Sequence, residues 1–291
     1  MIPKNTGGLP IRPDPRDDKF SEIVFGSPTL PDFPKTLGRK RNKAKNQSNS
    51  LSCTKHTTAG ASEYQDGIEL SAAYGWSLLC EKVKNFTPNG AEPRAAMGLS
   101  CEIGELAQAD AQFTFPEDDP QIIGNWENWN QREVLKAYAE RYKKAAYIKV
   151  VKVGDYFDSI RNALYVGKAK NQVVMAFGTW YGEWSQTYVP TVYVNFSSYH
   201  AYLFVDFDTI DGTEYLVVQN SYGENLGDRG YQYFPRETIN KEFAKYGTGL
   251  YVFEDLTPEQ IALARQSTVF GALQRAIIAV WWAIATKFGL I

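Results

Sequence analysis

Apolar residues recur at helical spacing in the first half of the chain and alternate with polar ones in the second. From residue 53 to about 65 the period is helical and closes at Asp66-Gly67. A second helix is predicted from about 70 to 84, where Ala73, Trp76, Leu79, Cys80 and Val83 fall at helical spacing, and "TPNG" at 87–90 breaks it. "AEPRAAMGLSCEIGE" reads as a short helix. Residues 112–130, rich in Pro, Asp and Trp, read as an irregular loop, and 132–144 as a helix. After Tyr147 the period shortens to two. "YIKVVKV" is a predicted strand and "DYFDSIRNALYVG" a helix ending at Gly167. "QVVMAFGTW", "YHAYLFVDFD", "EYLVVQNS" and "GYQYFP" follow as strands between Gly- and Asp-rich turns. The pattern predicts an α+β chain, helical first and antiparallel afterwards, whose two lobes meet at a cleft.

The ends differ from the middle. Residues 1–34 are rich in Pro, Gly and Asp with few periodic apolar positions, and read as an extended arm. Residues 35–45, "KTLGRKRNKAK", form a basic run expected to be a solvated face. In the tail, Thr257 precedes Pro258 and Glu259, a helix-start signal. Ten uncharged residues, "AIIAVWWAIA" at 276–285, follow between Arg275 and Lys287. A bilayer span needs about 20. Residues 257–291 are therefore expected to form an apolar or amphipathic helix that packs on its own domain or on a second copy. The sharper alternative is an interfacial helix with Trp281 and Trp282 at lipid headgroups.

Composition narrows the class only a little. The 291 residues give length for one large domain or two lobes, and a formal charge of −2 gives no argument for nucleic acid. Three cysteines, Cys53, Cys80 and Cys101, allow at most one bridge, which is no disulfide framework. The first residues, "MIPKNTGGLPIRPDPRDD", contain no apolar signal core. A cytoplasmic or virion-associated location is the expectation, with the sequons at Asn46, Asn85 and Asn195 idle. No cofactor or metal is called for.

Candidate chemistry centres on "NQSNSLSCTKH", residues 46–56. Cys53 stands where a helix begins, behind Ser52 as a plausible N-cap. There the dipole and unpaired N–H groups stabilise a thiolate, although most free cysteines are simply buried hydrophobes. A nucleophilic thiol needs a base, and the chain has two histidines. His56 lies one turn along the same helix, where it cannot easily reach the substrate side of the thiol. His200 opens a strand, and "EYLVVQN" returns from the turn at Asp211-Gly212 to Asn220. Antiparallel pairing sets His200 and Asn220 close together, allowing for a bulge or slip. Asn220 then orients the imidazole, and the other ring nitrogen faces Cys53. Gln47 folds over the thiol and, with the Cys53 N–H, supplies an oxyanion hole.

Residues 47–64, "QSNSLSCTKHTTAGASEY", resemble the active-site loop and helix of papain-like cysteine peptidases, most closely their bacterial and phage-type members. "NSYGENLGDRGY" and "YHAYLFVDFD" are similar to the family's asparagine loop and histidine strand, in the same chain order. The resemblance spans roughly 35–255. It implies a two-lobe domain at 35–256, with the helical lobe at about 47–146 and the β lobe at about 147–256. It also implies Cys53 as nucleophile, His200 as acid/base, Asn220 as orienter and Gln47 as oxyanion donor. "NGAEPRAAMG" is similar to the loop and helix lining the substrate cleft, which places Asn89 and Gly90 there. Departures fall at the family's glycines and tryptophans: Ser48, Asn49 and Ser52 before the nucleophile, Tyr199 before the histidine, and Tyr222 and Leu226 for the two tryptophans. Tyr199 and Tyr222 are accordingly expected at the substrate. No long helical pro-segment precedes the domain, and the short arm is expected to cover part of the cleft. The leading reading is a cysteine endopeptidase acting on proteins or peptides through a thioester. Alternatives are an amidase on cell-wall peptides and an inactive binding or structural component of a larger assembly.

Overall fold

The computed structural model describes residues 32–48, 50–83, 90–111, 132–152, 154–181, 184, 188–190, 198–246 and 248–255. The arm before residue 32, Asn89, and the expected loop at 112–130 lie outside them. Chain contacts separate Met1–Glu254 from Asp255–Ile291. All but Asp255 of the second unit, and with it the helix expected at 257–291, is outside the described residues. No described helix is long and apolar enough to cross a membrane.

The helical lobe is built from α1 (Cys53–Asp66), α2 (Ala72–Val83), α3 (Pro93–Glu102), the short α4 (Gln108–Ala111) and α5 (Arg132–Ala139). Helix α1 ends where the sequence places its stop, on Gly67 with φ 70°, and the Gly67 N–H caps Glu63 O. Leu78, Leu79, Cys80, Ala96, Leu99, Leu106 and Leu135 make the core of this lobe.

The β lobe follows as β1 (Ala146–Lys149), α6 (Tyr156–Val166), β2 (Val174–Trp180), β3 (Ser198–Ile210), β4 (Thr213–Gln219), β5 (Tyr231–Pro235), α7 (Arg236–Tyr246) and β6 (Gly249–Glu254). One six-stranded sheet results, with order β1-β6-β2-β3-β4-β5 and every neighbouring pair antiparallel. Alternation sends Val174, Ala176, Trp180, Tyr202 and Phe204 to one core, with residues of α6 and α7. Val173, Met175, Phe177, Ala201, Leu203 and Val205 go to the other face, with Cys53, Ala61 and Tyr64 of α1. At Gly60, α1 comes so near β3 that a Cβ would lie 2.8 Å from Leu203 Cδ1. The mouth of α1 is therefore held against the histidine strand.

Arg236 ties the far side of the β lobe together. Its guanidinium reaches Asp155 and Asp158 of the α6 N-terminus and Glu214 of β4, each at 2.8 Å. Burial opposes ionisation of Asp155 and Glu214, yet both carboxyls lie below their ordinary range, Asp155 through the Asp158 N–H, Asn240 and Arg236, and Glu214 through Arg236 and Arg161.

One expectation is corrected. The basic run is not a solvated face throughout. Arg39 N donates to Asp206 and its guanidinium to Leu164 O. Arg41 pairs with Asp228 at 2.5 Å, and Lys45 with Glu63 at 3.0 Å and Glu69 at 3.4 Å. The segment is a strap whose charges find buried or half-buried acids on both lobes. The end of the arm lies on the domain, where Phe33 packs edge-on against Tyr165 and Phe207.

Candidate active site

Cys53 is the first residue of α1 and has no exposed surface. Ser52 precedes it but does not cap through its side chain. Its hydroxyl instead meets Ser50 Oγ at 2.5 Å and His56 Nδ1 at 3.1 Å, while its carbonyl accepts from Lys55 N and His56 N. His56 Nδ1 also lies 3.1 Å from Ser52 O. A carbonyl only accepts, so Nδ1 carries the proton, and His56 is a buried staple of the first helical turn.

Burial pushes the Cys53 thiol up to about 12, against hydrogen bonds from the N–H groups of Ala201, Thr54 and Cys53 itself that pull it down. The helix-mouth donors act in the expected direction, but desolvation is larger. Ionisation here requires a partner that takes the proton inside the site. The bond from Ala201 N places the sulfur beside the residue that follows His200 on β3.

His200 is held on several sides. The β3–β4 ladder runs regularly from Ile210–Thr213 to Asp206–Val217, then slips by one residue at a bulge, so that Phe204 faces Val218. Past the ladder's end Asn220 meets the imidazole, with His200 Nε2 3.0 Å from Asn220 Oδ1. Ser221 N donates to the same oxygen at 2.7 Å, which identifies it as the acceptor and His200 Nε2 as a donor. Tyr222 lies flat on the ring, centroids 5.0 Å apart and planes within 3°. Trp180 approaches it at 4.8 Å and 62°, and Trp184 packs edge-on against Trp180 at 5.5 Å. The tryptophans missing from the asparagine loop are thus matched by two on or just after β2. No spacing in the sequence links them to His200, because strand pairing alone brings them there.

Gln47 is wholly buried and sewn to the asparagine loop. Its N–H donates to Ser221 O at 2.7 Å, and its Oε1 accepts from Ser221 Oγ at 2.6 Å. Gly223 N donates to Lys45 O at 2.8 Å. One hydrogen of Gln47 Nε2 goes to Ser50 O at 2.8 Å, leaving the other for a ligand. Ser48 takes φ 49°, the left-handed conformation that glycine adopts without strain. Of the residues expected at the substrate, Gly90 is buried just before α3 and Tyr199 is half-buried beside His200. Tyr222 covers the imidazole.

Other buried acids share the upward shift of Cys53. Burial pushes Cys80 to about 12 and raises Tyr64, Tyr74, Tyr202 and Tyr231. These groups keep their protons in the folded protein after the unfolded chain has released them, so stability falls as pH rises through 9 towards 12. The urea midpoint is expected to be lower at about pH 10.5 than at about pH 8. An equal or higher midpoint would contradict the burial of these groups.

A helical lobe, an antiparallel lobe and a cysteine at the helix mouth beside the strand that carries His200 are the frame of a cysteine hydrolase. The family model described as papain family cysteine protease matches residues 33–250. The chain belongs to that family and is a cysteine-type endopeptidase, with proteins or peptides as its substrates. Its fold is similar to that of xylellain, a cysteine protease from Xylella fastidiosa. The TM-score is 0.65 at 20% identity, covering 88% of this chain and 98% of that one. Procathepsin B S9 from Trypanosoma congolense follows at 0.55 and 16%, covering 87% of each chain. Bromelain from Ananas comosus, in complex with the E64 inhibitor, follows at 0.52 and 14%, covering 76% and 99%. No curated protein matches the chain.

Proposed function

We propose that Cys53 is the nucleophile, His200 the acid and base, Asn220 its orienter, and Gln47 with the Cys53 N–H the oxyanion hole. The observation that carries this reading is the bond between His200 Nε2 and Asn220 Oδ1 at 3.0 Å, which commits one ring nitrogen and makes Nδ1 the nitrogen that serves the thiol. The thiol proton passes to His200, and the sulfur forms a bond to the scissile carbonyl carbon. Negative charge on the carbonyl oxygen meets the second Gln47 Nε2–H and the Cys53 N–H. The C–N bond breaks as His200 gives its proton to the leaving amine. Water, deprotonated by His200, then attacks the thioester, and the acid product leaves as the thiol is restored. Proton transfer to His200 is what makes a thiol with a pKa near 12 usable at all.

Bromelain's solved complex with E64 suggests the probe for this site. The epoxide inhibitor is expected to add once to the parent protein, on the peptide containing Cys53, and to leave Cys53→Ala unlabelled. Addition at Cys80 or Cys101, or labelling that survives in Cys53→Ala, would refute the assignment. Self-association through residues 257–291, in preference to membrane contact, rests on their apolar sequence. Gel filtration beside liposome flotation of the full chain separates the two.

A further inference from the structure

Beyond the His200–Asn220 pair the hydrogen bonds continue inward with one polarity. Asn220 Nδ2 donates to Gln232 Oε1 at 3.1 Å, and Gln232 Nε2 donates to the main-chain carbonyl of Trp184. That carbonyl can accept but never donate. It therefore selects the NH2 end of Gln232 and turns the Gln232 oxygen towards Asn220. The oxygen in turn selects the NH2 end of Asn220, which leaves Asn220 Oδ1 facing His200. Together with Ser221 N, which donates to Asn220 Oδ1, this main-chain carbonyl orients two side-chain amides in series.

Packing alone does not ask for an amide at this position. Gln232 is wholly buried on β5, opposite Val218, in a region dominated by aromatic and aliphatic side chains. A buried amide costs stability unless its hydrogen bonds are made. Here they run to the imidazole's partner on one side and to a rigid acceptor on the other. We propose that Gln232 is a positioning residue for the acyl-transfer reaction, locking the Asn220 amide with its oxygen towards His200. The inference rests on the residue roles proposed above.

The test is a double-mutant cycle on the full chain, with competent sites counted by epoxide titration. Gln232→Met keeps the volume and removes the amide. It is expected to lower kcat about tenfold, the rate equivalent of one hydrogen bond's net contribution, with KM within about twofold. In an Asn220→Ala background the same substitution should change kcat by less than about twofold, because the group it positions is gone. Where Gln232→Met does not fold, Gln232→Leu is read in the same cycle. It removes both the acceptor for Asn220 and the donor to Trp184 O, and the same pattern is expected. Parental kcat in a folded Gln232 variant, or an equal loss in both backgrounds, overturns the inference while the site reading stands. A parent protein without turnover sinks both.

Discussion

Replacing His200 by alanine is expected to lower kcat/KM by about 10⁴-fold or more while leaving the fold intact. A triad whose members act as a unit loses nearly everything with its base. The loss should be especially complete here because Cys53 is fully desolvated and its thiol alone ionises only near pH 12. His56 is committed to Ser52, with Nδ1 as donor, on the inner side of the helical turn. Asn220→Ala should cost less, since Tyr222 and Trp180 still confine the imidazole. Peptide hydrolysis by the three proteins checks the order: parent, then Asn220→Ala, then His200→Ala. A His200→Ala protein within tenfold of the parent would remove His200 from the chemistry.

Lys55→Met is expected to destabilise the protein by about 3–5 kcal/mol. Lys55 follows the nucleophile by two residues, yet its ammonium is buried in the helical lobe, 2.8 Å from Glu105 Oε1, with both side chains at 1% exposure or less. Ser100 Oγ at 3.2 Å and Ala96 O at 3.4 Å complete its bonds and tie α1 to α3. Removing the cation leaves Glu105 buried with only Ser100 Oγ, at 2.5 Å, beside it. Replacing both partners, Lys55→Met with Glu105→Leu, should restore most of the loss, because two apolar side chains carry no desolvation cost. Thermal melts give the answer: the single variant should unfold roughly 10 °C lower, and the double variant near the parent. A single variant as stable as the parent would show that the pair holds nothing together.

The elements that carry Cys53, His200 and Asn220 were more legible in the sequence than their surroundings. Helix α1 was legible to within a residue at both ends, because a 3.6-residue period ends on a glycine that adopts positive φ. The His200–Asn220 approach was legible from the turn at Asp211-Gly212, and the bulge in β3 fell within the slip allowed for. Helix α7 and strand β6 were not seen. Helix α7 reads "RETINKEFAKY", and among its described side chains the apolar ones in the core are Ile239 and Phe243, too few to show a period. Strand β6, "GLYVFE", is buried at every position between β1 and β2, so it has no alternation to read. Gln232 and Trp184 were invisible for a different reason. Their meaning lies in which carbonyl faces which amide, and that is fixed only once β5 lies beside β4. The basic run misled because charge composition says nothing of the acids that fold back to meet it.

The account stands on proton transfer between Cys53 and His200 inside a desolvated site. Its most direct test is the rate of iodoacetamide addition to the Cys53 peptide across pH 4–11, in the parent and in His200→Ala. The parent is expected to react from near-neutral pH, where His200 takes the thiol's proton as the sulfur adds. The variant should stay slow until strongly alkaline pH, as burial dictates for the thiol alone. Coincident pH profiles in the two proteins would contradict the pairing of sulfur and imidazole.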